Sequence, residues 1–328
     1  MLILNAEEIR SVFSMKEAIE ADKEAFLLHS RGETEVPVRI SFSVRKDDKS
    51  QFMPAFVKGD INRVGIKIVS TFMENPLRGL PVVTAQVLLL DPETGEVCAM
   101  MNGTEVTKIR TGAISGAATD ILARTDAEVG ALFGTGAQAR SQLEAMLTAR
   151  KLREVRVFDK NPDWIRSFID RVAPMAESFG AKLAEASSSD AAIDQADVIT
   201  TVTTSKTPVF DGRRVRPGAH VNGLGSYTPN ARELDLELLK RSRVYVDNRE
   251  AVLAEAGDFL IPIASGDYSS GRIAGELGEV LDGKVQGRTD PKDITVMKTV
   301  GYAVLDVVAA YRIFTKALAL GKGRELQF

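Results

Sequence analysis

Two glycines and a distant aspartate form the most informative pattern in this chain. A short apolar run, Val129–Phe133, leads directly into a Gly-x-Gly-x-x-Ala motif whose glycines are Gly134 and Gly136. A helical pattern follows, and a second apolar run, Val155–Phe158, ends on Asp159. A strand, a tight glycine turn, a helix and a second strand that ends on an acid form the layout that binds a dinucleotide.

Each part of this pattern has a separate role in holding such a cofactor. Gly134 permits the tight turn, and Gly136 lets the backbone approach a pyrophosphate at the helix N-terminus, where free N–H groups attract an anion. A carboxylate at the position of Asp159 binds the hydroxyl groups of the adenosine ribose and repels a 2′-phosphate, which predicts NAD. Lys160 follows it directly and partly offsets that repulsion, so NADP stays open as the alternative.

Three basic residues lie at positions that point to a negatively charged partner. Lys67 interrupts the apolar run Val64–Val69, and burying an ammonium in such a strand is costly unless it faces a charge partner or a wet cleft. Arg110 precedes a small-residue helix predicted over residues 111–123, whose N-terminus disfavours positive charge unless an anion is present. Arg39 begins a predicted strand. Taken alone, each of the three could be an ordinary basic residue on the protein surface. Together they predict a pocket for a small amino or keto acid, because arginine forks grip a carboxylate and a lysine adds a transferable proton.

The sequence offers no candidate residues for catalysis by histidine, for a disulfide or for a metal site. The two histidines are His29, at an exposed-looking helix end, and His220, at the start of a predicted core strand, so neither is expected to act as an acid or base. The single cysteine, Cys98, lies in an apolar run and cannot form an intrachain disulfide, which fits a reducing cytosol. The sequence has no His, Cys and Asp cluster with metal-ligand spacing, so no metal is predicted.

Length, net charge and the distribution of apolar residues exclude several other classes of protein. A chain of 328 residues has two domains by default. The formal net charge of −3 gives no basic footprint for nucleic acid, and no apolar run is long enough to cross a bilayer. The first residues also lack the basic end and long apolar core of a signal peptide, so a cytoplasmic protein is expected.

The order of the predicted elements indicates two kinds of sheet. The segment before Thr111 is typical of α+β structure, with two helices and then strands that include a hairpin turn at residues 91–95. From Thr111 onward helices and strands alternate, which predicts a parallel sheet with helices on both faces. A last helix over residues 304–320 is expected to return to the first domain. The predicted fold class is α/β, a Rossmann doubly wound parallel sheet domain plus an α+β domain. The predicted strands are Leu2–Leu4, Arg39–Val44, Gln51–Val57, Arg63–Thr71, Val82–Leu90, Val129–Phe133, Val155–Phe158, Val198–Thr201, His220–Leu224 and Val244–Val246.

A set of short motifs follows in a fixed order along essentially the whole chain. They are Met53–Ala55, Gly65–Lys67, Asn75-Pro76 with Gly79–Pro81, Arg110–Ala113, Gly134–Gln138, Val221–Ser226, Arg232–Asp235, Gly278-Glu279 and Val300-Gly301. In this order they resemble the ornithine cyclodeaminase/mu-crystallin family, which includes archaeal-type alanine dehydrogenases and pyrroline-2-carboxylate or ketimine reductases.

This resemblance implies a homodimer and a Rossmann domain inserted between the N-terminal part and the last helix. It puts residues 1–112 and 304–328 in a substrate-binding and dimerisation domain and residues 113–303 in an NAD-binding domain. It implies that Arg39, Lys67 and Arg110 hold a substrate carboxylate beside the nicotinamide. The implied cofactor-binding residues are Thr111, Gly134, Gly136, Ala137, Gln138, Asp159, Asn222, Gly223, Leu224, Gly225 and Thr299.

Two positions depart from the cyclodeaminase pattern. Cyclodeaminases carry a glutamate that recognises the substrate amines where this chain has Gln51, and an aspartate that acts on the amine where it has Tyr227. A neutral amide and a phenol are poor partners for a second ammonium, which argues against ornithine cyclodeamination. The mu-crystallin branch also lacks that aspartate, whereas archaeal-type alanine dehydrogenases resemble the cyclodeaminases more closely there.

The leading prediction is an NAD(P)H-dependent reductase of a small cyclic imino acid, such as pyrroline-2-carboxylate, which gives proline. Gln51 is included among the substrate-binding positions, and Lys67 or Tyr227 is predicted to supply a proton. Three alternatives stay open. They are alanine dehydrogenase-type reductive amination of a small 2-oxo acid, ornithine cyclodeaminase, and a non-catalytic protein that binds NAD(P) and another small ligand.

Overall fold

The computed structural model describes residues 1–46 and 48–327, and its backbone contacts divide the chain into two compact units. Unit 1 comprises Met1–Arg110 and Tyr302–Phe328, and unit 2 comprises Thr111–Gly301. The boundaries expected from the sequence, at residues 112/113 and 303/304, lie close to these divisions. In the part of the chain described, no helix is both long enough and apolar enough to cross a membrane.

The first part of unit 1 has one strand, then two helices, and then a series of strands interrupted by a 3₁₀ helix. Helices α1 and α2 each begin with a capping box, in which the N-cap side chain and a glutamate three residues later satisfy each other's backbone N–H groups. The helices are α1 (Ala6–Val12), α2 (Met15–Ser30) and a 3₁₀ helix at Asn75–Arg78, and α3 (Gly103–Leu122) continues into unit 2. The strands are β1 (Leu2–Leu4), β2 (Thr34–Glu35), β3 (Ile40–Ser43), β4 (Lys49–Val57), β5 (Arg63–Thr71), β6 (Val83–Leu90) and β7 (Val97–Asn102).

Unit 2 repeats a strand-then-helix pattern. Its strands are β8 (Val129–Phe133), β9 (Glu154–Phe158), β10 (Lys182–Glu185), β11 (Val198–Thr201), β12 (His220–Gly223), β13 (Ser242–Val246), β14 (Ile273–Glu276) and β15 (Ile294–Lys298). Its helices are α4 (Ala139–Ala149), α5 (Pro162–Ser178), α6 (Ser189–Ile193), α7 (Leu236–Arg241), α8 (Arg249–Glu255), α9 (Gly257–Ala264) and α10 (Leu277–Leu281), with 3₁₀ helices at Gly212–Arg214 and Ser270–Arg272. The chain then returns to unit 1 as α11 (Ala303–Ala319) and β16 (Arg324–Glu325).

The sheet of unit 1 is mixed. Its strand order is β16-β1-β7-β6-β5-β4-β2, and β3 also pairs with β4. Strands β4, β5, β6 and β7 pair with one another in antiparallel fashion, whereas β1 runs parallel to β7. Helix α11 packs on β4, β5 and β6 as well as on α2, so the last helix covers the middle of this sheet.

The sheet of unit 2 is entirely parallel. Its order is β10-β9-β8-β11-β12-β15-β13-β14, so the direction of winding reverses between β8 and β11. In an open parallel sheet, ligands bind outside the carboxyl ends of the strands at such a reversal. This topology confirms the predicted doubly wound α/β fold.

The predicted strands are confirmed nearly to the residue, but the sequence interpretation missed several others. Strands β2, β7, β10, β14, β15 and β16 were not among the predicted strands. Of the longer ones in unit 2, β10 mixes charged and apolar residues, β14 contains Gly275, and β15 carries a buried threonine and lysine. Polar residues and glycine inside a strand break the apolar pattern on which such predictions depend.

Gly65 allows α11 to lie directly on β5. A Cβ atom at this position would lie 2.7 Å from Cγ2 of Val307 and 3.2 Å from the backbone oxygen of Leu88. We expect Gly65→Ala to lower the free energy of unfolding by about 1–3 kcal/mol, because the helix must move away from the strand. Urea denaturation measures this loss.

Gly271→Ala is the matched control. A Cβ there meets its nearest atom at 3.6 Å, an ordinary van der Waals distance, so its stability should stay within about 0.5 kcal/mol of the parent. Equal stability of the two variants would contradict the close contact between α11 and β5.

Candidate functional site

A single buried carboxylate holds two buried cations in unit 1. Lys67 Nζ donates to Oδ2 of Asp306 at 2.6 Å, and Arg110 Nε donates to Oδ1 of the same residue at 2.8 Å. The three side chains are 3%, 7% and 1% exposed. Each carboxylate oxygen therefore serves one cation, and Asp306 is their shared counter-ion.

Three elements bring these groups together. Lys67 is buried on β5, two residues beyond Gly65 and therefore on the face that meets α11. Asp306 lies in the first turn of α11, where the free N–H groups of the helix favour a negative charge. Arg110 comes from α3.

Burial and charge together set the ionisation of this group. The pKa of Lys67 is lowered to about 8, because burial and the charge of Arg110 lower it more than Asp306 raises it. Burial alone would raise the pKa of Asp306, but Arg110 and Lys67 overcome that effect and hold it below its ordinary value. Asp306 is therefore a carboxylate at neutral pH, and the ammonium of Lys67 gives up its proton far more readily than that of an ordinary lysine.

The cations keep hydrogen-bond donors that Asp306 does not use. Among the described residues Arg110 donates only through Nε, so its two terminal nitrogens are uncommitted. Arg39 lies close enough to lower the pKa of Lys67 by charge repulsion. We call Arg39, Lys67 and Arg110 the basic clamp. An arginine fork beside excess positive charge is the arrangement that binds a carboxylate.

Gln51 lies on the same sheet face as Lys67. Strand β4 pairs Met53 with Lys67 and Gln51 with Val69, and alternate residues of a strand share a face. The half-buried amide of Gln51 can donate or accept a hydrogen bond but carries no charge. The predicted substrate-binding residues therefore come from one region of unit 1, and their roles stay predictions.

The predicted start of the small-residue helix was wrong. Helix α3 begins at Gly103 rather than Thr111, so Arg110 lies inside the helix and not at its N-terminus. Asn102 accepts a hydrogen bond from the backbone N–H of Glu105, a capping signal present in the sequence that marks the true start. The anion that makes the charge of Arg110 tolerable is Asp306, which the sequence interpretation missed. Its only local signal is a lone acid within the apolar run 304–310.

A cavity of about 1030 Å³ lies at the winding reversal of unit 2. Its walls include the loops that follow β8, β9 and β11. Gly134 has φ +98°, and a Cβ there would lie 2.7 Å from the backbone oxygen of Val202, so only glycine fits. Helix α4 begins without a side-chain cap, which leaves backbone N–H groups of its first turn for an anionic ligand. This chain's residues therefore fit a dinucleotide.

The carboxylate of Asp159 is hydrogen-bonded to the glycine loop that follows β8. Its Oδ2 accepts hydrogen bonds from the backbone N–H of Thr135 at 3.0 Å and from the Thr135 hydroxyl at 2.9 Å. Lys160 and Arg171 also line the cavity. Asp159 thus faces the cavity while it fixes the loop, and two cations lie in the same wall.

Other predicted cofactor residues are held by buried acids. The backbone N–H of Gly225 and of Thr203 donate to Glu233, whose pKa is raised by burial. The hydroxyl of Thr299 donates to Asp247, which also accepts from the backbone N–H of Gly301. These acids fix the loops that follow β11, β12 and β15.

The remaining predicted positions have defined places in unit 2. The Thr111 carbonyl accepts a hydrogen bond from the Gln142 side chain at 3.0 Å, and Ala137 and Gln138 form the turn before α4. Gly223 ends β12 and Leu224 is buried just beyond it. Tyr227 follows in a loop and is 52% exposed.

His220 has the structural role that the sequence predicts. It is fully buried, in hydrogen-bond contact with Thr295 at 2.9 Å and with Asn222 at 3.0 Å. Burial lowers its pKa to about 3, so the ring is neutral at physiological pH. Cys98 is a free cysteine, and the residues described contain no group of three potential metal ligands.

Comparisons with known proteins cover the full chain. The model of the ornithine cyclodeaminase/mu-crystallin family matches residues 1–321. A Delta(1)-pyrroline-2-carboxylate reductase of Bacillus cereus is 33% identical over 100% of both chains. Among solved structures, the Delta(1)-pyrroline-2-carboxylate reductase of Thermococcus litoralis in complex with NADH and L-proline is 37% identical, with a TM-score of 0.93 over 99% of this chain and 100% of that one. An archaeal alanine dehydrogenase dimer with bound NAD is 32% identical, with a TM-score of 0.91 over 100% of this chain and 99% of that one.

Removal of the shared counter-ion should destabilise unit 1. We expect Asp306→Asn to lower the free energy of unfolding by about 3–5 kcal/mol at pH 7, because it leaves two buried cations without a negative partner. Urea denaturation at neutral pH measures the loss. Asp60→Asn, at an exposed turn of the same unit, is the control and should change stability little. An Asp306→Asn variant as stable as the control would contradict the buried pairing.

Proposed function

Because this chain belongs to the ornithine cyclodeaminase/mu-crystallin family, we propose that it is an NAD(P)H-dependent oxidoreductase that reduces the C=N bond of a small cyclic imino acid. Pyrroline-2-carboxylate, which gives proline, is the proposed substrate. The observation that carries the proposal is the pair of buried cations in the basic clamp, since Lys67 and Arg110 share Asp306 and keep donors for a carboxylate. The name of the Bacillus cereus relative, and the proline bound in the Thermococcus litoralis structure, support the substrate class.

The clamp orients the substrate by its carboxylate. Arg110 holds the carboxylate with its two terminal nitrogens, and Arg39 and Lys67 add positive charge. With the carboxylate fixed, the neighbouring imine carbon keeps a constant position, and such orientation supplies much of the rate enhancement in an oriented transfer. A bound reduced nicotinamide supplies the hydride that this carbon receives.

Lys67 is the proposed proton donor. The ring nitrogen gains a proton as the C=N bond becomes a C–N bond, and a donor whose pKa lies near the working pH is the most effective. Burial brings the pKa of Lys67 to about 8, so it is mainly protonated at neutral pH and still a good acid. The activity should therefore fall as the pH rises through about 8, since the donor form is lost. Tyr227 is the alternative donor.

NAD is the proposed cofactor. The cavity of unit 2 receives the adenosine half, with Gly134 and Gly136 at the pyrophosphate and Asp159 at the ribose hydroxyls. The bound NADH and NAD of the two solved relatives support this choice. NADPH remains the alternative because Lys160 and Arg171 lie in the same wall, and the assay described below compares the two.

The absence of two carboxylates favours an imino acid over a diamino acid. Gln51 lies on the Lys67 face of the sheet without a charge, and Tyr227 offers only a phenol. A second ammonium on the substrate would find no negative partner at either position. Ornithine is therefore a poor candidate, whereas a cyclic imine has a single nitrogen that needs no such partner.

Loss of either buried cation should abolish turnover. We expect Lys67→Ala and Arg110→Ala to lower the kcat/KM for pyrroline-2-carboxylate by about 10²-fold or more, because each removes part of the clamp and the first also removes the proton donor. The measurement follows NADH absorbance, with NADPH in parallel. NADH binding, followed by its fluorescence, should remain largely intact in both variants.

Lys108→Ala is the matched control, since Lys108 lies on the same helix as Arg110 and its side chain is 41% exposed. Full activity in Lys67→Ala or Arg110→Ala would refute the assignment of the clamp. If the parent protein turns over only pyruvate with ammonia, it is an alanine dehydrogenase. If the parent protein turns over neither the imine, nor pyruvate with ammonia, nor ornithine, a binding protein without catalytic activity is favoured.

A homodimer formed through unit 1 is the proposed assembly. Strand β3 is exposed along its whole length, and Phe42 on it is 57% exposed. Leu77 and Leu80, after β5, are 85% and 53% exposed. Several exposed large apolar side chains on one unit are typical of a surface through which subunits associate. The dimer of the archaeal alanine dehydrogenase supports this proposal.

Charges on this surface should weaken the dimer. We expect the double variant Phe42→Asp, Leu77→Asp to run as a monomer in size-exclusion chromatography with light scattering at micromolar concentration, because the new carboxylates would be buried without partners. Leu318→Asp, at a position on α11 that is 50% exposed, is the control and should leave the assembly unchanged. A monomeric parent protein, or a double variant that remains a dimer, would refute this interface.

A further inference from the structure

Helix α2 carries a buried carboxyl group that the proposed reaction does not use. Asp22 lies in the middle of this helix and is fully buried. Neither of its two carboxyl oxygens makes a hydrogen bond to any residue that the structure describes. A buried polar group without a partner is costly, so its place beside other charged groups needs an explanation.

The charged groups around Asp22 belong to the basic clamp and its counter-ion. Arg110 from α3 and Asp306 from α11 both act on it electrostatically, and α2 packs against α11. Lys67 from β5 is bound to the same Asp306. Asp22 thus feels the charge of Arg110 and of the carboxylate that Arg110 shares with Lys67.

The protonation state of Asp22 follows from this environment. Burial raises the pKa of Asp22 well above its usual range; Arg110 opposes that effect, whereas the negative charge of Asp306 adds to it. The acid form is therefore retained well above the pH at which an exposed aspartate ionises.

Charge counting shows what this protonation state changes. Lys67 and Arg110 bring two positive charges to the buried group and Asp306 brings one negative charge. A neutral Asp22 leaves one positive charge in excess among these buried side chains, which matches one substrate carboxylate. An ionised Asp22 leaves none among them, so the attraction for an anion is reduced to that of the half-buried Arg39, whose charge does not depend on Asp22.

We propose that Asp22 is a positioning residue of the reductase, which acts through Arg110 and sets the net charge of the buried group that Lys67, Arg110 and Asp306 form. As the neutral acid it leaves one buried positive charge for the substrate carboxylate, and as the carboxylate it cancels that charge. When the pH rises, Asp22 releases its proton to solvent and the affinity for the substrate carboxylate falls. This inference rests on the proposed function, since it assumes that the clamp binds a carboxylate.

The test must separate Asp22 from Lys67, whose own loss of a proton near pH 8 also weakens the clamp. Binding is therefore measured without turnover, in the full-length protein with NADH. The probe is pyrrole-2-carboxylate, a planar five-membered-ring carboxylate that cannot be reduced as an imine. Its dissociation constant is followed across the pH range by NADH fluorescence. Infrared difference spectra follow the carbonyl stretch of a protonated carboxylic acid over the same range.

We expect the parent protein to show an acid carbonyl band that Asp22→Asn removes. The affinity should fall roughly tenfold or more as this band is lost, with a common midpoint, because one unit charge leaves the buried clamp. In Asp22→Asn only the step that belongs to Lys67 should remain. Asp22→Val tests the same point without an amide in the core, and Asp60→Asn, at an exposed turn, is the control and should follow the parent protein.

Three results would overturn the inference. They are an acid band that Asp22→Asn leaves in place, an affinity whose pH dependence is the same in the parent protein and in both Asp22 variants, and a parent protein that fails to bind the probe at any pH. Failure of the proposed function has a different signature. In that case the parent protein does not turn over pyrroline-2-carboxylate, whatever the pH dependence of probe binding.

Discussion

The pairing of two buried cations with one carboxylate is the interaction on which unit 1 depends. A lysine and an arginine inside a sheet and helix interface are strongly unfavourable without a negative partner. Asp306 supplies that partner from the first turn of α11, and Gly65 allows the helix to come close enough to β5. Because one negative charge faces two positive ones, the pairing makes burial tolerable without removing the attraction for an anion. Structural stability thus depends on the same three side chains as the proposed recognition of the substrate.

Unit 2 uses its acids differently. Asp159, Glu233 and Asp247 each accept hydrogen bonds from backbone N–H groups of loops at the carboxyl ends of the strands. Carboxylates that accept several backbone hydrogen bonds fix a loop in one conformation before any ligand arrives, which lowers the entropy lost on binding. The proposed contacts to the ligand come instead from the glycine turn and the helix N-terminus, where backbone N–H groups offer partial positive charge.

The fold could be predicted from the sequence because its signals are local. Apolar runs such as Val129–Phe133 and the glycine motif after it define a strand and a turn within a few residues. The site could be predicted only in part. Lys67 and Arg110 stand out because each is a charge in the wrong place, but the residue that accounts for both lies 239 and 196 positions away. Asp306 is a single acid in an apolar helix, and Asp22 is one polar residue in an ordinary amphipathic helix, so neither has a local pattern. What identifies them is tertiary contact, which sequence spacing does not encode.

The long separation between Lys67 and Asp306 has a consequence for how the chain reaches its native state. During synthesis the strands of unit 1 emerge early, with two cations that have no counter-ion until the whole of unit 2 has been made and α11 follows it. The first part of unit 1 therefore cannot complete its core as the chain emerges, although unit 2 is continuous in sequence and can fold as soon as it is made. Closing so long a loop also slows folding, since non-local contacts form only after its entropy has been lost. Unit 2 should thus be the earlier folding nucleus, and the first residues synthesised should be among the last to become native.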